Sequence, residues 1–551
     1  MIVVSLILGG LVVLVFTNNR LKFIWGSLLS LFLITQFYGV LEHGTEFFPN
    51  TQPAIIFVDF ELPTGTNIDA SNKIATILED KILKEKYADI EDILVVVGAS
   101  TNPFDAGSST PNKGRVTVQF VDYADRLQNS SITTDQLRSL ISRIPGVDIR
   151  IKQQDMGPPV GLPVTIQVSG DDYSKLGQIA EQIMVEIQDT PGLVDLESNY
   201  DVGKPEIRII INREKAALYG LSTGLIANTV RTAINGSVAT KYRVDEDEYD
   251  ITVRLRKDQR ESSDALKNLK IIYNNDKGTT LSVPLISVAD ITYDKGPGAI
   301  RRKNLQRMIT VSGDAGEGYN ENEVLTQVKE KLKTFQLPQG YTISFAGQDE
   351  EQAKASAFLG KAFLIALLLI FLILVIQFNS LSQPLIILSA VVISLVGVFI
   401  GLIVFAMPFG IIMTGIGIIS LAGVVVNNNI VLIDYTNQLR KRGLTRREAI
   451  VTAGMRRFRP VTLTAITTVL GLIPLSFGLG FDIYTFEFSA GGESAEFWKS
   501  MGIAVIFGLT FATFLTLVIV PVIYSTLDDV PIALRQLKAS LIASVKRLFK
   551  K

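Results

Sequence analysis

From Ala362 to Ile433 the chain carries no Asp, Glu, Lys, Arg or His, an uncharged run of 72 residues. A soluble core needs no such stretch, whereas about 20 apolar residues cross a bilayer, so the run is expected to hold three membrane helices joined by short turns. Further uncharged runs occupy Phe23–Leu41 (19 residues), Pro460–Phe481 (22) and Ser500–Leu527 (28). Six crossings follow, at 21–41, 355–378, 383–406, 409–435, 459–480 and 499–526, and a soluble enzyme is excluded. The run Met1–Asn19 has an apolar core of only 15 residues, Ile2–Phe16, with no Lys or Arg before it. Residues 1–20 are therefore expected as a short interfacial or re-entrant piece, with a seventh crossing or a cut end left open.

The formal charge of −1 conceals a segregation. Residues 42–354 carry 35 Lys and Arg against 46 Asp and Glu, a net −11, while the remainder carries 18 against 8, a net +10. Basic residues mark the cytoplasmic side of a membrane. The segment 436–458, expected as a cytoplasmic loop, holds Arg440, Lys441, Arg442, Arg446, Arg447, Arg456 and Arg457, and the tail 527–551 holds Lys546, Arg547, Lys550 and Lys551. With both inside, six crossings place residues 42–354 and a shorter loop at 481–498 on the far face. The absence of cysteine rules out disulfides and thiol chemistry.

Residues 42–354 are too many for a loop and must bury a core. A strand-like Ala54–Leu62 leads to a helix with Ile74, Ile77, Leu78 and Ile82 on one stripe, then to the apolar run Ile93–Val97. Arg115–Val121 alternates before a helix bearing Leu137, Leu140, Ile141 and Ile144. Pro163–Ser169, a helix with Leu176, Ile179, Ile183 and Ile187, and Val194–Ser198 make a third unit. Gln306–Ser312, a helix with Val324, Val328, Leu332 and Phe335, and Tyr341–Ala346 make a fourth. The expected fold is α+β: a six-helix bundle with external split βαβ, ferredoxin-like layers at 42–206 and 301–354, interrupted by an insertion at 207–300. The insertion contains its own helix near Ser222–Asn235 and the acidic cluster Asp245–Glu248, whose spacing suits a hairpin tip better than a metal loop.

No Gly-x4-Gly-Lys-Ser/Thr loop occurs, so ATP hydrolysis is not expected. His43 is the only histidine, which leaves no zinc or Ser–His centre to build; no catalytic residue, metal ligand set or cofactor is expected. The most informative segment is Gly423–Tyr435, with Asn427, Asn428 and Asn429 deep in an apolar run. Such amides are costly to leave facing hydrocarbon and should face other helices or water, either as interhelical glue or as part of a transport path.

This segment, the basic stretch Arg440–Ala449 that follows it, and Arg457–Leu475 closely resemble the C-terminal half of resistance–nodulation–division (RND) efflux permeases. Gly44–Pro49, Leu62–Thr66, Gly157–Pro163 and Phe507–Thr513 look like further signatures, so the resemblance extends over essentially the whole chain. It implies a multi-pass protein of the bacterial inner membrane. The periplasmic porter region would be Ala54–Ser198 with Arg301–Ala346, and Ile207–Ile300 would dock toward an outer-membrane channel. The whole would be a trimeric proton antiporter, powered by the proton-motive force and working with a periplasmic adaptor. Its cargo would be amphiphilic drugs or similar compounds, and its remaining contacts membrane lipids, with no nucleic acid.

A proton carrier within a membrane must be ionisable, and the helix cores hold no acid. By the resemblance, paired aspartates lie on the equivalent helix of an N-terminal half. Asn427 stands where many drug pumps have a lysine, Asn428 supplies the next amide and Thr464 a hydroxyl on the following helix. The chain is thus expected to be half a transporter, as a split subunit or a piece of a longer protein. Ala99–Gly114, with Phe104 its only aromatic, matches in position the loop lining the drug pocket, or is an ordinary hairpin loop. Met156, Met184 and Met308 are the only external methionines, which disfavours a relay for soft metal ions. The alternatives are an exporter of lipids, envelope components or metals, and a non-transporting membrane scaffold or sensor.

Overall fold

The computed structural model describes residues 19–527 except 42–43, 86, 100–108, 142–143, 155–156, 158–159, 202, 204, 261–262, 275–277, 297, 317, 482–485 and 487. Residues 1–18, His43, Phe104 and the tail from 528 lie outside the described residues. The chain divides into two compact units, one of Pro63–Thr66 with Asp201–Ile300 and one of everything else.

In the larger unit, helix α1 (Asn19–Val40) precedes the two-residue strand β1 (Thr45–Glu46). Strand β2 (Ile55–Glu61), helix α2 (Ile68–Lys84), strands β3 (Ile90–Ala99) and β4 (Ser109–Phe120), helix α3 (Ser130–Ile141) and strand β5 (Asp148–Gln153) then form one layer pair. The sheet is antiparallel in the order β3-β4-β2-β5. Alternation explains its core: Ile56, Val58 and Phe60 point at the helices while Phe57, Asp59 and Glu61 take the other face. On α2 the buried stripe is Ser71, Ala75, Leu78 and Ile82, and Ile77, expected on it, is 44% exposed, because it lies one position off the 3–4 spacing. Asn67 caps α2, accepting from the amide of Asp69.

The second layer pair contains β6 (Val164–Gly170), α4 (Tyr173–Ile187), β7 (Leu193–Ser198), β8 (Arg301–Lys303), β9 (Gln306–Ala315), α5 (Glu321–Leu332) and β10 (Thr342–Phe345). Its sheet runs β8-β9-β6-β10, and β7 pairs with the later part of β9 through a register shift between Ser312 and Asp314. Ile166, Val168, Ile183, Ile187, Ile309 and Val328 are fully buried between sheet and helices. Phe335, expected on the helix, lies beyond its end and still packs on this core. Ionic contacts join the two layer pairs: Arg150 lies 2.8 Å from Glu197 and Arg138 2.9 Å from Asp195.

The smaller unit pairs Pro205–Ile211 with Ala289–Lys295 and Lys270–Asn274 with Thr280–Pro284 around Ile226, Ile271, Leu285 and Val288. Its hairpin, Ser237–Val244 with Asp247–Val253, is exposed along both strands, and the cluster Asp245–Glu248 lies at its tip. There Glu248 accepts from Lys241 and Arg243 across the hairpin.

Helices α6 (Gln348–Phe378), α7 (Ser382–Val404), α8 (Met413–Lys441), α9 (Arg446–Phe477) and α10 (Glu493–Leu527) follow, with strand β11 (Phe409–Gly410) before α8. These five are long and apolar enough to cross a membrane, and the described apolar part of α1 is Leu29–Val40. The segment expected as a basic loop, 436–458, is helical except for 442–445: α8 continues to Lys441 and a capping box of Thr445 and Glu448 starts α9 thirteen residues before the expected crossing at 459. Uncharged length marks where a helix meets lipid, not where its hydrogen bonds end. Helix α9 also runs through Pro460 and Pro474, which membrane helices tolerate. Small residues set the close packing of α7 on α10, where a Cβ on Gly397 would meet the Phe507 carbonyl at 2.6 Å.

Candidate functional site

Consecutive residues of an α-helix point about 100° apart, so three adjacent asparagines cannot share one face. On α8, Asn427 is exposed, Asn428 is 5% exposed and Asn429 is fully buried. Asn429 turns into the bundle, where its Nδ2 donates to the Val425 carbonyl at 3.0 Å and its Oδ1 has no hydrogen-bond partner. Asn427 and Asn428 turn toward α9 and line a cavity of about 410 Å³ with Gly423, Val424, Thr464, Thr467 and Thr468. The three residues singled out by sequence for the relay, Asn427, Asn428 and Thr464, thus border one space; Phe104, proposed for a substrate pocket, lies outside the described residues.

The threonine hydroxyls around this cavity are committed, and Asn427 and Asn428 add amide N–H donors. Thr464 Oγ1 donates to the Val461 carbonyl at 2.9 Å, with the Pro460 carbonyl at 3.2 Å and Asn428 Oδ1 at 3.3 Å as competing acceptors. The hydroxyls of Thr467 and Thr468 donate to the Leu463 and Thr464 carbonyls at 3.0 and 2.9 Å. Hydroxyl protons spent on the helix's own backbone leave oxygen lone pairs turned outward, so α9 presents acceptors. Thr467 and Thr468 were not singled out from the sequence, although their spacing of three and four from Thr464 puts them on the same helix face.

Among the described residues no carboxylate or basic group lines the cavity. The charged residues nearest in sequence are Asp434 and Arg459; beyond them Arg456 donates to the Tyr435 hydroxyl at 2.9 Å and the Arg457 guanidinium sits 4.5 Å over the Tyr435 ring. In the first sheet, Asp59 is 6% exposed and receives Arg115 through two hydrogen bonds of 2.6 and 3.0 Å. Among the described residues no group of three His, Cys, Asp or Glu is arranged to hold a metal ion.

Residues 12–528 match the model of the AcrB/AcrD/AcrF family. The chain is 27% identical over 494 residues to the cobalt-zinc-cadmium resistance protein CzcA of Cupriavidus metallidurans, covering 87% of this chain and 45% of that protein. It is 29% identical over 364 residues to the swarming motility protein SwrC of Bacillus subtilis, covering 66% of this chain and 33% of that protein. The crystal structure of a heavy metal efflux pump superposes with a TM-score of 0.75 at 23% identity, over 93% of this chain and 51% of that one. The chain therefore spans about half the length, or less, of the relatives it matches. With its apolar helices, its two sheet-and-helix layers and a match running from 12 to 528, the chain belongs to the AcrB/AcrD/AcrF family of resistance–nodulation–division transporters.

Proposed function

We propose that the chain works as one half of a proton-driven RND efflux transporter in a bacterial inner membrane, with α1 as a sixth crossing and residues 42–354 in the periplasm. The observation that carries this is the cavity bordered by Asn427, Asn428 and Thr464, which offers amide donors and oxygen acceptors and, among the described residues, no ionisable group. Uncharged donors and acceptors suit a carboxyl group that gains and loses a proton during a cycle, so the acids come from a second half, on the same polypeptide or a separate subunit. Helix α6 supports such a partner: Leu364, Ile365, Leu368 and Ile373 are more than half exposed, a face for lipid or for neighbouring helices. The exposed hairpin at 237–253 supports packing against another copy in a trimer, alongside an adaptor and an outer-membrane channel.

The cargo we assign is an amphiphile, taken from the periplasm or the outer leaflet. A second reading, export of metal ions, is favoured by the relative named for cobalt, zinc and cadmium resistance. The test is proton-coupled efflux in a strain lacking its own pumps, with this chain expressed alone and together with a half bearing intramembrane aspartates. Efflux of a fluorescent cationic dye only with both halves supports the proposal, and Zn²⁺ or Co²⁺ efflux without dye efflux moves the assignment to the metal reading. Proton-driven efflux by this chain alone overturns the half-transporter reading.

A further inference from the structure

Glu46 stands where the membrane helices meet the external layers. It ends β1, which pairs in parallel with β11, and its carbonyl accepts from the Ile411 amide at 2.9 Å. From the other side, Asn322 and Asn320, at the start of α5, donate to the Thr45 carbonyl at 2.7 and 3.2 Å. A two-residue strand thus ties the external layers to the turn between α7 and α8.

The side chains beside this strand converge on one point. A Cβ on Gly410 would lie 3.3 Å from Ser500 Oγ, 3.4 Å from Thr414 Oγ1 and 3.5 Å from Glu46 Oε1, so three oxygens gather around one face of this glycine. Thr414 and Ser500 are fully buried, and neither hydroxyl oxygen has a hydrogen-bond partner. Two unpartnered buried hydroxyls beside a carboxylate point to an occupant that they bind. Oxygen-only donors favour a hard ion over a soft metal, and one carboxylate with two neutral hydroxyls suits a single positive charge.

We propose that Glu46, Thr414 and Ser500 form a binding site for a small hard cation, a proton or Na⁺, at the outer end of the membrane bundle. The site is separate from the amide cavity: Thr414 and Asn428 are 14 residues apart on α8, about 21 Å at 1.5 Å per residue. Burial, and secondarily the Glu321 carboxylate at the start of α5, push the Glu46 carboxyl up from 4.5 to about 8. Among the described residues, the titratable groups facing Glu46 are Glu321 from α5 and Tyr38 from α1, whose hydroxyl donates to the Met407 carbonyl at 2.9 Å, while α8 and α10 present Thr414 and Ser500. Glu321 also accepts from Gln348 at the start of α6. An occupant neutralises Glu46 against Glu321 and so fastens α5 to α8 and α10; its loss loosens that junction.

The experiment is thermal unfolding of the purified full chain in lipid nanodiscs, followed by tryptophan fluorescence, in NaCl or choline chloride at equal ionic strength from pH 5 to pH 9. A carboxyl whose folded value is raised stabilises the fold below its ordinary value and loses that contribution as pH rises through about 8. A proton site therefore gives a Tm that falls over this range equally in both salts. A Na⁺ site gives a Tm raised by NaCl at pH 9, with the rise shrinking at pH 6 as protons compete. Either response is expected to vanish in Glu46→Gln. An identical pH and Na⁺ response in wild type and Glu46→Gln overturns the proposal. Should Glu46→Gln not fold, Thr414→Val and Ser500→Ala decide: a response weakened at least tenfold in apparent cation affinity, or a shifted pH midpoint, supports the site, and an unchanged response in both overturns it.

Discussion

Thr464 Oγ1 lies 3.3 Å from Asn428 Oδ1, the longest of the three acceptor contacts this hydroxyl makes. With one proton and a better-placed carbonyl at 2.9 Å, Thr464 holds Asn428 only weakly. Interhelical hydrogen bonds in membranes contribute roughly 0.6–1.7 kcal/mol, so Thr464→Val is expected to lower stability by about 1 kcal/mol or less. If the pair serves proton transfer, efflux by the assembled transporter falls more than tenfold in both Asn428→Ala and Thr464→Val while Tm hardly moves. Paired Tm and efflux measurements check this; parallel losses of stability and efflux would reduce the pair to interhelical glue.

Asn429 is the contrasting neighbour. Its Oδ1 is buried with no hydrogen-bond partner while its Nδ2 bonds only to the Val425 carbonyl of its own helix. Replacing a half-satisfied amide by an apolar group of similar size removes a desolvation cost along with the bond. Asn429→Leu is expected to change stability by less than about 1 kcal/mol, in either direction, and to leave efflux within a few-fold of wild type. A large loss of efflux there would move the functional amide from Asn428 to Asn429.

Much of this architecture was legible because it depends on local period. The runs of uncharged residues located α6 to α10, and alternation with helical stripes located most strands and helices of both layer pairs but missed β5 and β8, which are short. Features set by contacts between distant segments were not legible. Nothing near Glu46 in the chain announces that residues 410, 414 and 500 converge on it. The stretch 436–458 looked like a loop because charge marks the membrane boundary, whereas the capping box at Thr445 and Glu448, which decides where α9 begins, is a short signal easily passed over among arginines. Of the Asn427, Asn428 and Thr464 grouping, sequence supplied the residues and family resemblance the pairing; that they border one cavity depends on how α8 packs against α9.

Asp59 and Arg115 face each other across β2 and β4 with two hydrogen bonds, and the Arg115 guanidinium stacks 4.5 Å over Phe57. Asp59 is almost fully buried, and Lys152 is 3.9 Å away. Removing the aspartate takes its charge partner from a partly buried guanidinium, which costs roughly 3 kcal/mol. Asp59→Ala should therefore destabilise more than Arg115→Met, because Lys152 still faces Asp59 when Arg115 is lost. Denaturant unfolding of the two variants checks the order, and equal losses would show that Lys152 gives no compensation.

Gly397 sets the distance between α7 and α10. A Cβ there would approach Phe511 Cβ at 2.5 Å and the Phe507 carbonyl at 2.6 Å, and at the next turn a Cβ on Gly401 would meet Phe507 Cβ at 2.8 Å. Backbone cannot move aside as a side chain does, so Gly397→Val has to separate the helices, at a cost of about 3 kcal/mol or more. Gly423 has nothing within 4 Å of a Cβ and serves as the control. Gly397→Val is expected to lose most folded protein in detergent size-exclusion profiles, while Gly423→Ala retains it.

Tyr524 joins three helices of the bundle. Its hydroxyl donates to Asn437 Oδ1 at 2.8 Å and accepts from Arg440 at 3.0 Å, and Asn437 Nδ2 donates to Gln383 Oε1 at 2.9 Å, so α10, α8 and α7 share one chain of hydrogen bonds. Tyr524 is only 5% exposed, so a phenylalanine keeps the packing and deletes only the hydroxyl. Losing one bond of such a chain costs about 1–2 kcal/mol because its former partners stay partly buried. If the chain acts as a unit, Asn437→Leu costs a similar amount and the double variant costs clearly less than the two added together. Thermal unfolding of the single and double variants measures this coupling; strict additivity would mean that Tyr524 and Asn437 stabilise the bundle independently, each against its own neighbours.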